Sequence, residues 1–330
     1  MQIYIYFLFS LLSVKTILAF SDFNFPLNKT NHNLFTIYTC FGKPQICGEA
    51  LLSFLRTDII LYRNFNYTRI TLPIHKETTV YDGLTLMNGY RGQVYLPNLK
   101  FTVTDTSYNK NAIFGFGYLP PPNDQNTLIN QLVVNFLRKK IFYIDTIENT
   151  LVVGKYPDEQ KLKQIKKCPL SNTKTYYGGY HCKIDSAYYL GTDNTFKQIM
   201  IESQVSFSPS SNMIYVSTSF MQHIIDNYFD TSLFEEGICK LINEEVVKYV
   251  QCNRDYNYKK DSRIKDITFV IGEISIKLTK KDLFSEIKDS IYFMIAFFGG
   301  TQTWSFGYPF FNKYKLIIDL ETEFIWFWPK

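Results

Sequence analysis

The sequence predicts an all-β protein with a few short helices, built from two related halves. Most periodic stretches are short and separated by Gly- or Pro-containing turns, and Ile274–Leu278 alternates apolar and polar residues as strands do. Similar apolar-Gly turns, Ile113-Phe114-Gly115 and Ser305-Phe306-Gly307, occur in the two halves, each followed closely by Tyr and Pro. This weak internal duplication favours two lobes, for which 330 residues suffice.

The amino-terminal residues have the pattern of a secretory signal peptide. Residues 3–20 form an apolar run that ends near the small residue Ala19, so we expect residues 1–19 to be a signal peptide and the protein to be secreted. Lys15 interrupts the run and no basic residue precedes it, which leaves a buried strand or a membrane anchor as alternatives. Later apolar stretches are too short to cross a bilayer. We therefore expect no stable membrane insertion after signal removal, and a monomer.

An even number of cysteines in a secreted chain indicates disulfides. The simplest set joins cysteines within one short segment, which gives Cys40–Cys47, Cys168–Cys182 and Cys239–Cys252. None of these pairs has the CxxC spacing of zinc sites, so we expect no metal and no other cofactor.

The expected surface is glycosylated and carries scattered charge. Asn28-Lys29-Thr30 and Asn66-Tyr67-Thr68 are sequons, which predict glycans on Asn28 and Asn66. The net charge is +5, and the basic residues are dispersed except at Lys155–Lys167. A charge run of that kind is usually a solvated face, so we expect no nucleic-acid partner. Hydrophobic residues make up 46% of the chain, which excludes a disordered protein.

The first half is predicted to contain strands, turns and one helix. Turns are expected at Gly42-Lys43-Pro44, Asp82-Gly83 and Asn88-Gly89. A helix is expected after the N-cap Asn126, because apolar residues follow at i, i+4 spacing. The expected strands are 34–38, 50–52, 59–61, several within 69–105, and the hairpin 141–147 with 150–153.

The boundary between the two halves is predicted near the polar stretch Lys155–Lys167, which places the lobes at residues 20–165 and 166–330. Ser217–Tyr228 and Ser232–Val250 are expected to be helices. The expected strands are 181–186, 267–270 and 274–278.

The stretch Thr303–Asp319 contains Trp304, an apolar-Gly turn at Phe306-Gly307, then Phe310, Tyr314 and a short apolar strand that stops at Asp319. This pattern resembles the C-terminal signature of the pepsin-like aspartic peptidases. The family's Asp after the Gly is Tyr308 here. A second stretch, Asn111–Pro120, resembles the family's Asp-Gly-Ile-Leu-Gly-Leu-Ala-Tyr-Pro. The resemblance covers residues 34–328 and implies a bilobal pepsin-like fold with a cleft between two β-barrel-like lobes. The positions that match the C-terminal signature without a gap are Trp304, Phe306, Gly307, Phe310, Tyr314 and Asp319.

The resemblance implies that both catalytic carboxylates are replaced. Counted from the Gly-x-Pro turn, the first catalytic Asp falls on Ser53, and the following Thr-Gly falls on Phe54-Leu55. The best placement of the second Asp is Ser208, and a slip in register gives Phe207 or Ser206. No slip restores a carboxylate, because residues 203–225 contain neither Asp nor Glu.

Val80-Tyr81-Asp82-Gly83 resembles the flap hairpin that closes over the family's cleft. The resemblance implies that Tyr81, Asp82 and Gly83 border the cleft and that Tyr81 is the flap tyrosine. An ordinary strand tyrosine is the alternative.

Two carboxylates that share a proton activate the water in aspartic peptidases, and a serine hydroxyl cannot act as that base. The four histidines lie in no hydrolase motif, which disfavours a Ser-His enzyme. The resemblance, in a family that includes inactive members, therefore implies a secreted, inactive homologue that binds a peptide or protein. The alternatives are an active endopeptidase whose dyad lies elsewhere, and a structural or storage glycoprotein.

Overall fold

The computed structural model describes residues 22–30, 34–41, 45–54, 56–62, 77–88, 92–104, 112–117, 127–171, 179–190, 195–299 and 303–330. Over these ranges the protein is mostly β, and no α-helix exceeds eight residues, which confirms the predicted class. The predicted signal peptide, the Gly42-Lys43-Pro44 turn, Leu55 and the Asn66 sequon lie outside the described residues.

Nine strands and two helices of the described residues precede the polar stretch or lie within it. Helix α1 is Leu128–Asn135 and α2 is Glu159–Leu162. The strands are β1 Phe23–Lys29, β2 Phe35–Phe41, β3 Ile46–Ser53, β4 Ile59–Leu61, β5 Glu77–Asn88, β6 Gly92–Thr104, β7 Ala112–Gly115, β8 Ile141–Asp145 and β9 Thr150–Val153.

The remaining described elements follow in chain order. The helices are α3 Met221–Tyr228, α4 Ser232–Glu235, α5 Lys280–Leu283 and α6 Tyr308–Phe311. The strands are β10 Lys167–Pro169, β11 His181–Leu190, β12 Phe196–Phe207, β13 Ile214–Ser217, β14 Cys239–Asn243, β15 Val247–Asn253, β16 Ile267–Ile271, β17 Ile274–Leu278, β18 Phe284–Ile287, β19 Ser290–Phe298, β20 Trp304–Phe306, β21 Tyr314–Asp319 and β22 Phe324–Pro329.

The strands form two sheets, and the C-terminal hairpin β21–β22 belongs to the first of them. The first sheet runs β10-β22-β21-β8-β9-β1-β2-β3-β7-β4-β6-β5, and the second runs β14-β15-β19-β13-β20-β12-β11-β16-β17, with β18 beside β19. The hairpin β21–β22 thus pairs with β8 of the first half rather than with its sequence neighbours. The boundary at 165/166 remains a prediction. The pairing of β21 with β8 links the residues on its two sides.

One apolar core extends through both halves and is rich in aromatic side chains. A smaller cluster, which includes Ile141, Ile317 and Trp326, lies on the other face of the strands that join the halves. Because strand residues alternate between faces, β8 and β21 supply side chains to both clusters. No helix among the described residues is long and apolar enough to cross a membrane.

The predicted helix over Ser232–Val250 is wrong beyond Glu235. After α4 the chain forms the hairpin β14–β15, in which Cys239 lies directly opposite Cys252. Val, Ile, Tyr and Cys side chains dominate this segment, and they favour a pleated strand that packs on a neighbour over a helix.

The predicted turn at Asp82-Gly83 is also wrong, because β5 runs through it. Instead, the register with β6 shifts between Asp82 and Leu84, so Gly83 lies at a bulge. The second predicted turn, Asn88-Gly89, extends beyond the described residues and stays a prediction, although Asn88 itself lies opposite Gly92. The N-cap of α1 is Thr127, whose hydroxyl accepts a hydrogen bond from Asn130 N at 3.3 Å, rather than the predicted Asn126.

The three predicted disulfides are confirmed. Cys40–Cys47, Cys168–Cys182 and Cys239–Cys252 are all bonded, and no free cysteine remains. Two of them join directly paired residues of adjacent strands, so the local pairing follows from hairpin geometry.

We expect thiol titration of the denatured, unreduced protein to find no free cysteine. Replacing Cys239 and Cys252 by Ala should lower the free energy of unfolding by about 3 kcal/mol, since a bridge over a loop this short restricts the unfolded chain by that amount. Denaturant unfolding of both proteins measures the difference. Two titratable thiols in the wild-type protein would contradict the pairing.

Candidate functional site

Each half contains the same arrangement of three strands around one loop. In the first half β7 lies between β3 and β4, parallel to β3 and antiparallel to β4. In the second half β20 lies between β12 and β13 with the same directions. We call residues 53–54 and 56–58, at the end of β3 and beyond it, the first loop, and residues 208–213, after β12, the second loop. The first loop passes the end of β7 at Gly115, and the second loop passes the end of β20 at Gly307.

Ser53 and Ser208 occupy equivalent places in the two loops. Leu52 and Phe207 each lie opposite the residue that precedes the turn glycine of their half. Ser53 and Ser208 are the next residues along their strands. This register makes Ser208, rather than Ser206, the counterpart of Ser53 in the duplicated arrangement.

The turn glycines Gly115 and Gly307 are required by close approach to the loops. A Cβ atom on Gly115 would lie 2.2 Å from the carbonyl oxygen of Asp58, and one on Gly307 would lie 2.2 Å from that of Met213. Both distances are far below van der Waals contact, so any larger residue would displace the loop backbone. The two carbonyls stand at the same place in their loops, five residues after Ser53 and Ser208 respectively.

The chemistry of the second loop is that of neutral hydroxyls. Ser208 is fully buried, and its Oγ lies 3.1 Å from Ser210 Oγ and 3.1 Å from Ser211 Oγ. Ser53 is buried at the equivalent place, and its carbonyl accepts a hydrogen bond from Phe116 N at 2.7 Å. A cluster of hydroxyls has no group that ionises near neutral pH, so it cannot serve as a general base.

Asp58 has the one carboxylate among the described residues of the two loops, and it is hydrogen-bonded to β6. Asp58 Oδ2 accepts a hydrogen bond from Thr102 Oγ1 at 2.9 Å, which ties the end of the first loop to β6. The second loop has no acidic residue.

An aromatic cluster lies beneath the first loop and joins the two halves. The buried ring of Phe54 packs edge-on against Phe142 and Tyr180, each with ring centroids 5.4 Å away, and against Phe311 at 6.2 Å. Tyr180 and Phe311 come from the second half, and the Tyr180 hydroxyl donates a hydrogen bond to the Phe116 carbonyl. Phe54, which follows Ser53, is therefore a core residue that packs across the interface of the halves.

The residues predicted to form a flap lie along β5. Tyr81 is 67% exposed and lies opposite Lys100 of β6. Asp82 is buried and lies opposite Leu99, and Gly83 lies at the register shift. Tyr81 and Asp82 therefore face opposite sides of the sheet, and only Tyr81 presents its side chain to solvent.

Asp319 has a structural role at the turn after β21. Its buried carboxylate accepts hydrogen bonds from Glu321 N at 2.8 Å, from Thr322 N at 3.2 Å and from the Thr322 hydroxyl at 2.8 Å. The Tyr156 hydroxyl also donates to it, and burial together with this bond raises the pKa of Tyr156. The carboxylate thus fixes the turn between β21 and β22.

His223 of α3 forms its hydrogen bonds with neighbouring residues other than the loop serines. His223 Nε2 lies 3.2 Å from the Gln198 carbonyl, and its Nδ1 lies 3.1 Å from Asn227 Nδ2. His181 is buried in β11, and burial lowers its pKa. Among the described residues no group of three or more His, Cys, Asp or Glu side chains could hold a metal ion.

Asn28, one of the two predicted glycosylation sites, is exposed on β1. Its side-chain nitrogen donates a hydrogen bond to Glu49 Oε1 at 3.0 Å. A glycan attached to that nitrogen would remove one of its two hydrogens and compete with this bond. The modification remains a prediction.

Comparison with known proteins identifies the fold. No protein-family model and no curated protein sequence matches the chain. The structure is similar to basic 7S globulin from soybean over 94% of this chain and 96% of that one, at 11% identity and a TM-score of 0.68. It is similar to an aspartic proteinase from Irpex lacteus over 94% and 97%, at 12% identity and a TM-score of 0.65. Conglutin gamma, a basic 7S globulin from lupine seeds, matches over 93% and 94%, at 10% identity and a TM-score of 0.67.

These matches, together with the duplicated loops, define the architecture. The chain has the pepsin-like aspartic protease fold that the C-terminal signature implied. At these identities the similarity establishes the fold and leaves the activity to be argued from the site.

We expect Gly307→Ala to lower the free energy of unfolding by about 3 kcal/mol, because the added Cβ would overlap the Met213 carbonyl. Gly299→Ala is the matched control, since nothing lies within 4 Å of its added Cβ, and its effect should stay within about 0.5 kcal/mol. Denaturant unfolding measures both variants. Equal stability of the two variants would show that the loop can move away without cost.

Proposed function

We propose that the protein is a secreted, proteolytically inactive protein of pepsin-like fold that binds a peptide or protein partner between its two halves. The observation that carries the inactive assignment is the equivalence of Ser53 and Ser208 in the duplicated loops. These are the places where the resemblance puts the catalytic carboxylates.

Loss of activity follows from the chemistry of these two places. The reaction of an aspartic peptidase needs one ionised and one protonated carboxyl group around a single water. Buried serine hydroxyls stay neutral at every pH in the working range, so neither can take the proton from water. Phe54 also occupies the position after the first serine, where its ring fills the space beneath the loop.

The alternative of an active enzyme with a displaced dyad finds no support in the carboxylates near the loops. Asp58 is bonded to Thr102, and Asp319 is held by the backbone of its own turn. A catalytic pair needs two carboxylates close enough to share a proton. The second loop offers none.

Secretion is supported by the three disulfides and by the signal-like residues 1–19. Disulfides persist in oxidising compartments and are rare where thiols are kept reduced. All six cysteines of the chain are bonded, which fits an oxidising environment.

Binding between the halves is supported by the replacement of charge with neutral, partly apolar groups. Without carboxylates the floor of a groove suits an apolar side chain better than an activated water. Tyr81 supplies an exposed ring and a hydroxyl, the combination that interfaces favour.

A second candidate is an inert structural or storage glycoprotein. The burial of Phe54 among rings from both halves favours it, because a filled interface leaves less room for a ligand. The similarity in fold to a globulin from lupine seeds is compatible with this alternative.

We expect the purified protein to cleave no denatured protein substrate between about pH 2 and 6, because it lacks the carboxylate pair. A fluorescent casein assay measures this, with an active pepsin-like enzyme as the positive control. Cleavage that disappears in both Ser53→Ala and Ser208→Ala would contradict the inactive assignment.

We expect a peptide selected from a random displayed library on the wild-type protein to bind Tyr81→Ala about tenfold more weakly, through loss of the ring. Tyr95→Ala, an exposed tyrosine on the neighbouring strand β6, is the matched control and should bind normally. Titration by isothermal calorimetry gives both affinities. Failure to select any peptide would favour the inert alternative.

A further inference from the structure

A cleft lies in the sheet of the second half, at the opposite end of β12 from Ser208. It has a volume of about 500 Å³, within the range of small-molecule sites. Its walls come from the end of β11, the start of β12, the strands β16 and β17, and the segment 262–266. Phe196 opens β12 and Phe207 closes it before Ser208. At about 3.3 Å per strand residue the cleft is on the order of 30 Å from the second loop.

One wall of the cleft is apolar and exposed. Phe196 is 73% exposed and lies opposite Leu190, which is 45% exposed. The Phe196 ring packs edge-on against Tyr188, with ring centroids 5.0 Å apart. The three side chains form a step on which a flat ligand could stack, because edge-on ring pairs leave ring faces free.

The other wall is basic. Lys265, Lys277 and Lys280 line the cleft together with one acidic residue, Asp266, which leaves two positive charges in excess. Asp266 Oδ2 pairs with Lys277 Nζ at 2.9 Å, and its Oδ1 accepts a hydrogen bond from Lys280 N at 3.0 Å. The Asp266 carboxylate is therefore occupied by two donors and neutralises only one lysine.

Lys280 keeps donor capacity toward the cleft. Its ammonium donates one hydrogen bond to the carbonyl oxygen of Asp261 at 2.6 Å, and an ammonium has three donors. The Asp261 carboxylate is itself paired with Arg263 at 2.8 Å. The charge of Lys280 thus stays available to an anion.

Protection of the sheet edge accounts for only part of this arrangement. β17 ends the order of strands in its sheet, and a lysine on such a strand discourages pairing with another chain. That explains Lys277. It does not explain the exposed Phe196 and Leu190, which lie on β12 and β11 rather than on the end strand β17. Exposed apolar side chains that line a cleft with two further lysines are typical of a binding site.

We propose that this cleft binds a small aromatic carboxylate, with the ring on Phe196 and Leu190 and the carboxylate on Lys280 and Lys265. The positive charge of the lysines favours a ligand with a carboxylate group. The small apolar surface at Phe196 and Leu190 limits the aromatic part of the ligand to one or two rings. The site is separate from the proposed peptide site, so either proposal can fail without the other.

The test uses 1-naphthylacetate and its neutral isostere 1-naphthylacetamide, titrated into the full protein and followed by ligand-observed NMR. We expect the acid to bind about tenfold more tightly than the amide, and only the acid to weaken as salt rises, because salt screens the lysines. Equal affinities for acid and amide, or no binding of the acid, would overturn the proposal.

Two independent variants locate the site. Phe196→Ala should weaken binding of both probes about fivefold through loss of the ring contact, and Lys265→Gln with Lys280→Gln should remove the preference for the acid. The matched controls are Val246→Ala, an exposed apolar residue before β15, and Lys240→Gln on β14 at the far edge of the sheet. Circular dichroism melting verifies that each variant is folded. Binding that both site variants leave unchanged, or that Tyr81→Ala abolishes, would place the probe elsewhere and refute the assignment.

Discussion

The centre of the molecule depends on two glycines that let a strand end approach a loop more closely than a residue with a Cβ atom could. At Gly115 and Gly307 an added Cβ would lie 2.2 Å from a loop carbonyl oxygen, so the approach requires glycine. Each of these contacts fixes the position of its loop, and so the position of Ser53 relative to β7 and of Ser208 relative to β20. The geometry around the two serines is therefore maintained by backbone packing that does not depend on their side chains. If carboxylates stood at these two places, as the proposed function implies, the scaffold would not need them to keep its shape.

The uncharged serines of the two loops agree with the packing around them. Phe54 joins rings from both halves, and its position in the sequence is one where the resemblance implies Thr in the family. A carboxylate beside such a cluster would be costly to ionise, since burial disfavours the charged form. Serine avoids that cost because it has no charge to bury. The serines and the phenylalanine are thus physically consistent with one another, as a core is when each local choice agrees with the rest.

Much of the fold could be predicted from the sequence because the informative features are local. The apolar-Gly turns and the short spacing of the cysteines depend on a few adjacent residues, and the all-β class followed from repeated short strands. The helix predicted over Ser232–Val250 was wrong beyond Glu235 because apolar spacing alone does not distinguish a helix from a hairpin. The pairing of Cys239 with Cys252 was the stronger signal, since it indicates a hairpin. The place of Ser208 needed the pairing of β12 with β20, which joins residues about 100 positions apart. The Phe54 cluster and the cleft at Phe196 were not predicted, since each gathers side chains from several distant segments.

The C-terminal hairpin makes a long-range pairing, because its strand β21 pairs with β8, which lies in the first half of the chain. β21 and β22, which lie beyond residue 313, complete the sheet of β8, β9 and β1, so that sheet cannot be finished until nearly all of the described chain has been made. At a synthesis rate of about 5–20 residues per second, the edge of β8 waits on the order of ten seconds for its partner. During that interval an apolar strand edge is open to other chains, which is the condition under which folding helpers are needed. The pairing that unites the two halves in the finished protein is thus also the step that makes its biosynthesis vulnerable.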